Sequence, residues 1–470
     1  MASDASGHRV LVVTATFPPD GAVGSLRTLR LLRHLARSGS DVEVLTISPD
    51  TYRAGTVTDP ALLAQVPDGV RVTRAAAIRP VERLWAWLRR GRTGRAHDRP
   101  RRSSATVAEA GPPPTRLLSI RRLQRACSAL LSVPDREVSW IVPAVVRGCG
   151  SAKRTGRPDI IYSSGPPYSA HVAAACLAAV LRRPWVADFR DPWARAPWRE
   201  DRFRFEKRAW SMLERGVVRR TDAAVFVTEA NRADFAAHHG EALARRFHVV
   251  PNGCDAADFD GLVPRPSADR FVLLHAGSLY GARDPSSLFR AIAEAAAAET
   301  IDRGAFRIRL IGRIGIPGVD LPGLIRQLGL EDLVEIIPHM PRRMVLQEML
   351  DASALLIVQP VTRVSIPGKL YEYLAARRPI LALAEPDGDT AALVNRSGAG
   401  VVVPPADETG IRHALAQLLA GGVRRLDTDR SLYDGALRAS ELGAILQRAA
   451  SRGQVHGASS STVPISTKPS

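Results

Sequence analysis

Twice along this 470-residue chain, short apolar runs rich in β-branched residues alternate with stretches of helical periodicity. Strands separated by helices pair in parallel, because a parallel neighbour is reached only through a crossover. The opening segment shows one such unit complete. Val10 to Val13 is a strand-like run, Leu26, Leu29, Leu32 and Leu35 recur at helical spacing before Gly39, and Val42 to Ile47 is the next run. The alternation resumes with strands predicted at 159–163, 184–189 and 223–228 and helices over 169–181 and 205–219. Val249 to Asp255 ends a strand in an Asn-Gly turn, and the polar stretch after it places a domain boundary near 260–269. A second series follows, with strands predicted at 271–275, 307–311, 334–337, 354–358 and 379–384 and helices over 285–297, 321–327, 342–350 and 369–376. The pattern specifies an α/β protein of two Rossmann-like, doubly wound domains, over 1–262 and 268–425. Residues 426–450 read as a C-terminal helical segment and 451–470 as a polar, disordered tail.

Composition narrows the partners. The four cysteines, Cys127, Cys149, Cys176 and Cys254, form no CxxC pair or Cys/His cluster, which predicts a reduced, cytoplasmic protein without structural zinc. No run approaches the roughly 20 apolar residues of a spanning helix. A net charge of +18 favours anionic partners, but no helix-turn-helix, zinc finger or aromatic stacking signature supports nucleic acid. Residues 79–126 form an insertion rich in Arg, Pro, Gly and Ser. Within it Leu84, Trp85, Trp87 and Leu88 precede Arg89, Arg90, Arg92 and Arg95, the composition of an interfacial helix on an anionic membrane surface or, alternatively, of a solvated insertion.

Five blocks lie at the ends of the predicted strands: FPPDGAVGSLR (17–27), DIIYSSGPPYSAH (159–171), PWVADFRDPW (184–193), VVPNGCD (249–255) and SIPGKLYEYLAARRPIL (365–381). In order and spacing they resemble the GT-B retaining glycosyltransferases of family 4, over most of Arg9 to about Asp407. The resemblance implies two domains facing across a cleft, with a nucleoside-diphosphate sugar as co-substrate, a hydroxyl acceptor and no cofactor. Gly21 and Gly24 permit close backbone approach where a strand hands over to a helix N-terminus, whose free N–H groups attract anions. In the family this loop borders the donor diphosphate.

The same resemblance gives Glu372 the donor ribose, because one carboxylate accepts from two neighbouring hydroxyls. A further family glutamate is replaced here by Val364. After the first strand of the second domain, HAGSLYGARDP follows (275–285). Ser278, beyond Gly277, stands at the usual Arg of a phosphate clamp and Arg283 at the usual Lys; Arg283 retains a permanent, forked charge. Lys369 is a second candidate for phosphate.

Asp188 and Asp191 follow a parallel strand at the end where open α/β sheets hold their ligands. Asp191 is the candidate catalytic group, orienting the acceptor hydroxyl or stabilising positive charge at the anomeric carbon, with Asp188 the structural alternative. His171, which opens a helix, is a candidate to line the same cleft, or a structural histidine. No Asp-x-Asp metal motif is evident, and DGD at 387–389 is expected in a solvated turn, so no metal is expected. The expectation is a retaining, metal-independent glycosyltransferase of cell-surface polysaccharide or glycolipid biosynthesis, cytoplasmic or peripheral on the inner membrane face, with an acceptor that is lipid-linked. The alternatives are a sugar-nucleotide epimerase, a non-catalytic GT-B-like binder and a secondary-metabolite glycosyltransferase.

Overall fold

A computed structural model describes residues 7–78, 129, 132–197, 203–338, 340–421 and 429–459. The insertion and its tryptophans lie outside the described residues, as do 460–470 of the tail. The first sheet comprises β1 (Arg9–Thr14), β2 (Asp41–Ile47), β3 (Arg71–Ala75), β4 (Ile160–Gly165), β5 (Trp185–Phe189), β6 (Ala223–Phe226) and β7 (Phe247–Val249). Its order is β3-β2-β1-β4-β5-β6-β7, all parallel. The second domain adds β8 (Phe271–Ala276), β9 (Leu279–Tyr280), β10 (Phe306–Ile311), β11 (Ile314–Gly315), β12 (Val334–Ile337), β13 (Ala354–Gln359), β14 (Ile380–Ala384) and β15 (Gly400–Val403). Its six-stranded sheet runs β12-β10-β8-β13-β14-β15, and β9 pairs with β11 alone.

Both sheets are covered on both faces, which explains strands that are apolar throughout rather than alternating. One face of the first sheet packs Leu11, Val13, Leu45 and Ile161 against Trp140, Ala174 and Leu177. The other packs Val10, Val12, Val44 and Val186 against Leu31, Leu32 and Leu35 and against Leu442, Ile445 and Leu446 of the last helix. That helix, Gly435–Ser459, continues past Ala450, where the sequence pattern places the start of a disordered tail, and it returns to the first domain.

The chain therefore crosses between domains twice, and the crossings are paired. Cys254 N–H donates to the Tyr433 carbonyl (2.7 Å) and Gly435 N–H to the Cys254 carbonyl (3.0 Å). A Cβ on Gly253 would stand 2.7 Å from the Gly435 Cα, so the backbones touch where no side chain fits.

Several elements escaped the sequence pattern. β3 is an edge strand in which polar Arg71, Thr73 and Arg74 interrupt the apolar run. The helix Ile141–Thr155 carries Pro143, Gly148 and Gly150, which weaken its helical signature. Gly148 is needed for packing: its Cβ would stand 2.9 Å from Leu177 Cδ2.

Candidate active site

In each sheet the strand order reverses beside the first strand of the domain, at β1/β4 and at β8/β13, and the C-terminal ends of these strands open toward one another. Such reversals leave a crevice for ligands. Here they frame a cleft of ≈ 460 Å³ lined by Gly21, Arg27, Arg190 and Asp191 from the first domain and by Gly277, Ser278, Arg283, Lys369 and Glu372 from the second.

The second-domain wall is built around Lys369, near the start of the helix Gly368–Ala376. Its Nζ lies 2.9 Å from His275 Nε2, and His275 Nδ1 lies 2.9 Å from the Leu356 carbonyl. A carbonyl only accepts, so Nδ1 carries the imidazole proton and Nε2 accepts from the lysine. Burial pushes the Lys369 amine down to about 7, with Arg283 adding to the fall and Glu372 opposing it. His275 is fully buried and held well below its ordinary range, first by burial and then by Lys369.

Gly277, at φ +119°, passes over this pair, and a Cβ there would approach Lys369 Nζ to 3.1 Å. Arg283 lies over the Tyr280 ring, 4.5 Å from its centroid, and donates from Nε to Gln359 Oε1 (3.2 Å). Neither Arg283 nor Lys369 has a carboxylate at ion-pair distance among the described residues. Glu372 does have a charged partner. Its Oε1 accepts from Arg342 Nη1 (2.5 Å), whose Nη2 is held by Asp258 (2.8 Å). Oε2 is left without a partner among the described residues. Arg342 was not singled out in the sequence, where it is one of two arginines opening a helix.

On the first-domain wall the two aspartates have different fates. Asp188 is fully buried and saturated: Arg27 grips both oxygens (2.8 and 2.9 Å), and Tyr162 (2.6 Å) and Ser164 (3.3 Å) add to Oδ2. Arg27 also donates to the Val250 and Pro251 carbonyls at the first crossing (3.0 and 2.9 Å). Three residues on, the Asp191 carboxylate faces the cleft with no hydrogen bond from a described residue. Burial raises its pKa, and Arg190 and Arg283 pull it back.

Two family models match the chain: a glycosyl transferase 4-like domain over residues 24–253 and glycosyl transferases group 1 over residues 270–421. The chain belongs to the group 1 glycosyltransferases. Its fold is that of GT-B enzymes. Sucrose-phosphate synthase from Thermosynechococcus elongatus superposes with a TM-score of 0.56 at 14% identity, covering 96% of this chain and 98% of the other. HepE from Anabaena, in complex with UDP-glucose, gives 0.55 at 16% identity over 95% and 99%. A UDP-N-acetylglucosamine 2-epimerase gives 0.53 at 14% identity over 98% and 99%. No curated protein matches this glycosyltransferase in sequence.

Of the residues singled out in the sequence, Gly21, Asp191, Gly277, Ser278, Arg283, Lys369 and Glu372 meet in the cleft of this glycosyltransferase. Gly24 lies beneath it: a side chain there would collide with the Arg190 guanidinium, which donates to the Pro166 carbonyl. His171 is a correction, for it is fully buried in the first-domain core beside Phe189, 4.7 Å between ring centroids, and does not reach the cleft. Trp185 Nε1 donates to Ser163 Oγ, and the same hydroxyl shares a hydrogen bond with His171 Nδ1 (2.8 Å each). Burial pushes His171 down to about 3.

Val364, at the site of the absent family glutamate, serves a different purpose: its carbonyl accepts from Thr228 Oγ1 of the first domain (3.0 Å). DGD is only partly a solvated turn, since Asp389 begins the helix Asp389–Ser397 and is half-buried. No helix among the described residues is long and apolar enough to cross a membrane.

Proposed function

We propose that the cleft transfers a sugar from a nucleoside diphosphate to a hydroxyl of an acceptor with retention of the anomeric configuration. In the step, the bond from the anomeric carbon to the diphosphate breaks, a bond to the acceptor oxygen forms, and the acceptor's hydroxyl proton passes to the departing diphosphate or to solvent. The reading rests on one observation: Arg283 and Lys369, two cations without carboxylate partners, converge beside Gly277 at the strand reversal of the second domain. Fixed positive charge at the departing diphosphate stabilises the transition state more than the ground state. These two cations supply that charge themselves, and we propose a reaction that requires no metal.

Asp191 lines the opposite wall of the cleft, and its proposed role is to orient the acceptor hydroxyl or to face the positive charge growing at the anomeric carbon. Glu372 Oε2 remains to accept from the ribose. The interfacial composition of residues 84–95 supports a lipid-linked acceptor of a cell-surface polysaccharide or glycolipid on the inner membrane face. Because the Anabaena neighbour is a complex with UDP-glucose, uridine donors head the list to be tried.

The test is nucleoside diphosphate release from UDP-, GDP- and dTDP-sugars, with and without a bacterial lipid extract and a chelator, for the wild type and Glu372→Ala. The expected result is release from one donor that rises with the extract, ignores the chelator and collapses in the variant. Loss of turnover on chelation would overturn metal independence. A second reading, a sugar-nucleotide epimerase, is favoured by Val364 and Ser278, which replace the family's glutamate and arginine. An epimerase would convert the donor without acceptor and without nucleotide release.

A further inference from the structure

Several arginines of this protein are paired with carboxylates: Arg27 with Asp188, Arg195 with Glu214, Arg290 with Glu408, Arg303 with Asp332 and Arg342 with Glu372. The edge of the first domain opposite the cleft instead gathers arginines around one concavity. There Arg182 and Arg183, just before β5, Arg245 and Arg246, just before β7, and Arg448 and Arg452, from the last helix, surround a groove of ≈ 590 Å³. The guanidiniums of Arg182, Arg183, Arg245 and Arg448 make no hydrogen bond or ion pair with any described residue, and the Arg183 Nε is itself buried. Asp222 is the one acidic residue lining the groove among those described, and its Oδ2 already accepts the Trp185 amide (2.8 Å).

Like charges held this close repel, and the field reaches their neighbours. His248, half-buried between them, is lowered first by burial and then by Arg448 and Arg452. An ordinary surface would scatter such charges or interleave acids. A guanidinium presents a planar fork of donors that matches a phosphate oxygen pair, and several forks around one concavity match a ligand carrying more than one negative charge.

We propose that this groove is a second anion site, separate from the sugar-donor cleft, that takes a phosphate-bearing ligand. The cleft lies beyond the C-terminal ends of β1 and β5, whereas these arginines precede the N-terminal ends of β5 and β7, so the two sites occupy opposite edges of one sheet. The ligand is either a soluble polyphosphorylated compound or the headgroup of an anionic lipid, and the same two substitutions separate these sources.

Arg245 and Arg448 are both exposed, and replacing them relieves repulsion, so the double variant Arg245→Ser, Arg448→Ser is expected to melt no lower than the wild type. Binding of inorganic tripolyphosphate is followed by calorimetry, and binding of vesicles by co-sedimentation, using phosphatidylglycerol with phosphatidylcholine against phosphatidylcholine alone. Any binding in the cleft, or through residues 84–95, is common to both proteins and drops out of the comparison. Charge-assisted contacts of this kind correspond to roughly tenfold or more in affinity each. Vesicle binding that depends on phosphatidylglycerol and weakens at least tenfold in the variant identifies a lipid headgroup. Tripolyphosphate binding that weakens while vesicles are ignored identifies a soluble ligand. Equal binding by wild type and variant, or no binding of either probe by the wild type, overturns the site.

Discussion

On the first-domain wall of the cleft the arginines are held by the protein itself: Arg27 grips both oxygens of Asp188 and two carbonyls of the crossing, and the Arg190 guanidinium rests over Gly24 and bonds the Pro166 carbonyl. On the second-domain wall Arg342 is likewise held, by Glu372 and Asp258, but Arg283 rests on a tyrosine face and a glutamine, and Lys369 on a neutral imidazole. A paired charge fixes geometry and has little capacity left for a ligand. An unpaired one is costly in the empty protein and becomes favourable only when an anion arrives. The division suits a reaction in which one side positions an acceptor and the other takes up the charge of a leaving group.

This contrast can be broken most sharply at Arg27. Arg27→Met removes one partner of a buried pair and leaves the Asp188 carboxylate uncompensated, at an expected cost of about 3–5 kcal/mol in the unfolding of the first domain, read from urea denaturation. A loss within experimental error would show that the first wall owes its rigidity to something else. Arg283→Ala should leave that denaturation curve unchanged and instead lower kcat by about 10²–10³-fold, the effect of removing one fixed donor from a developing anion. If KM rises while kcat stays constant, Arg283 grips the donor equally in ground and transition states, and the contrast holds for binding alone.

The smallest effect is in pH. Lys369 is charged below about 7 in the empty cleft and neutral above it. A bound diphosphate favours the charged amine, so affinity for the nucleoside diphosphate should be level below pH 7 and weaken by up to about tenfold per unit above it. Lys369→Arg, charged throughout, should flatten the profile.

Much of the scaffold was legible because its strands are buried on both faces and therefore apolar from end to end, as in Val10 to Val13 and Ala354 to Val358. The edge strand β3 and the glycine-bearing helix Ile141–Thr155 were not, for polar residues interrupt the one and propensity is weak in the other, whereas the edge strand β12 was read at 334–337. In the cleft, glycines and cations at strand ends were readable from position and chemistry. Arg27 was not recognised, although its spacing from buried Gly24 and Leu31 puts it on the inward side of its helix. Arg342 gave no signal, since its partners Glu372 and Asp258 come from distant segments that only the fold brings together. His171 misled for the converse reason: a histidine at a helix start beside conspicuous loop residues looks reactive, yet the helix turns it into the core.

The doubled crossing at Cys254 and Gly435 has a practical side. Because the chain returns to the domain it started from, Arg9 and Ala450 belong to the same lobe. A pair of fluorophores at these two positions would thus keep a constant separation however the lobes swing. Dyes meant to watch the enzyme open and shut must go on different lobes, and two parallel straps joining those lobes favour a nod over a twist.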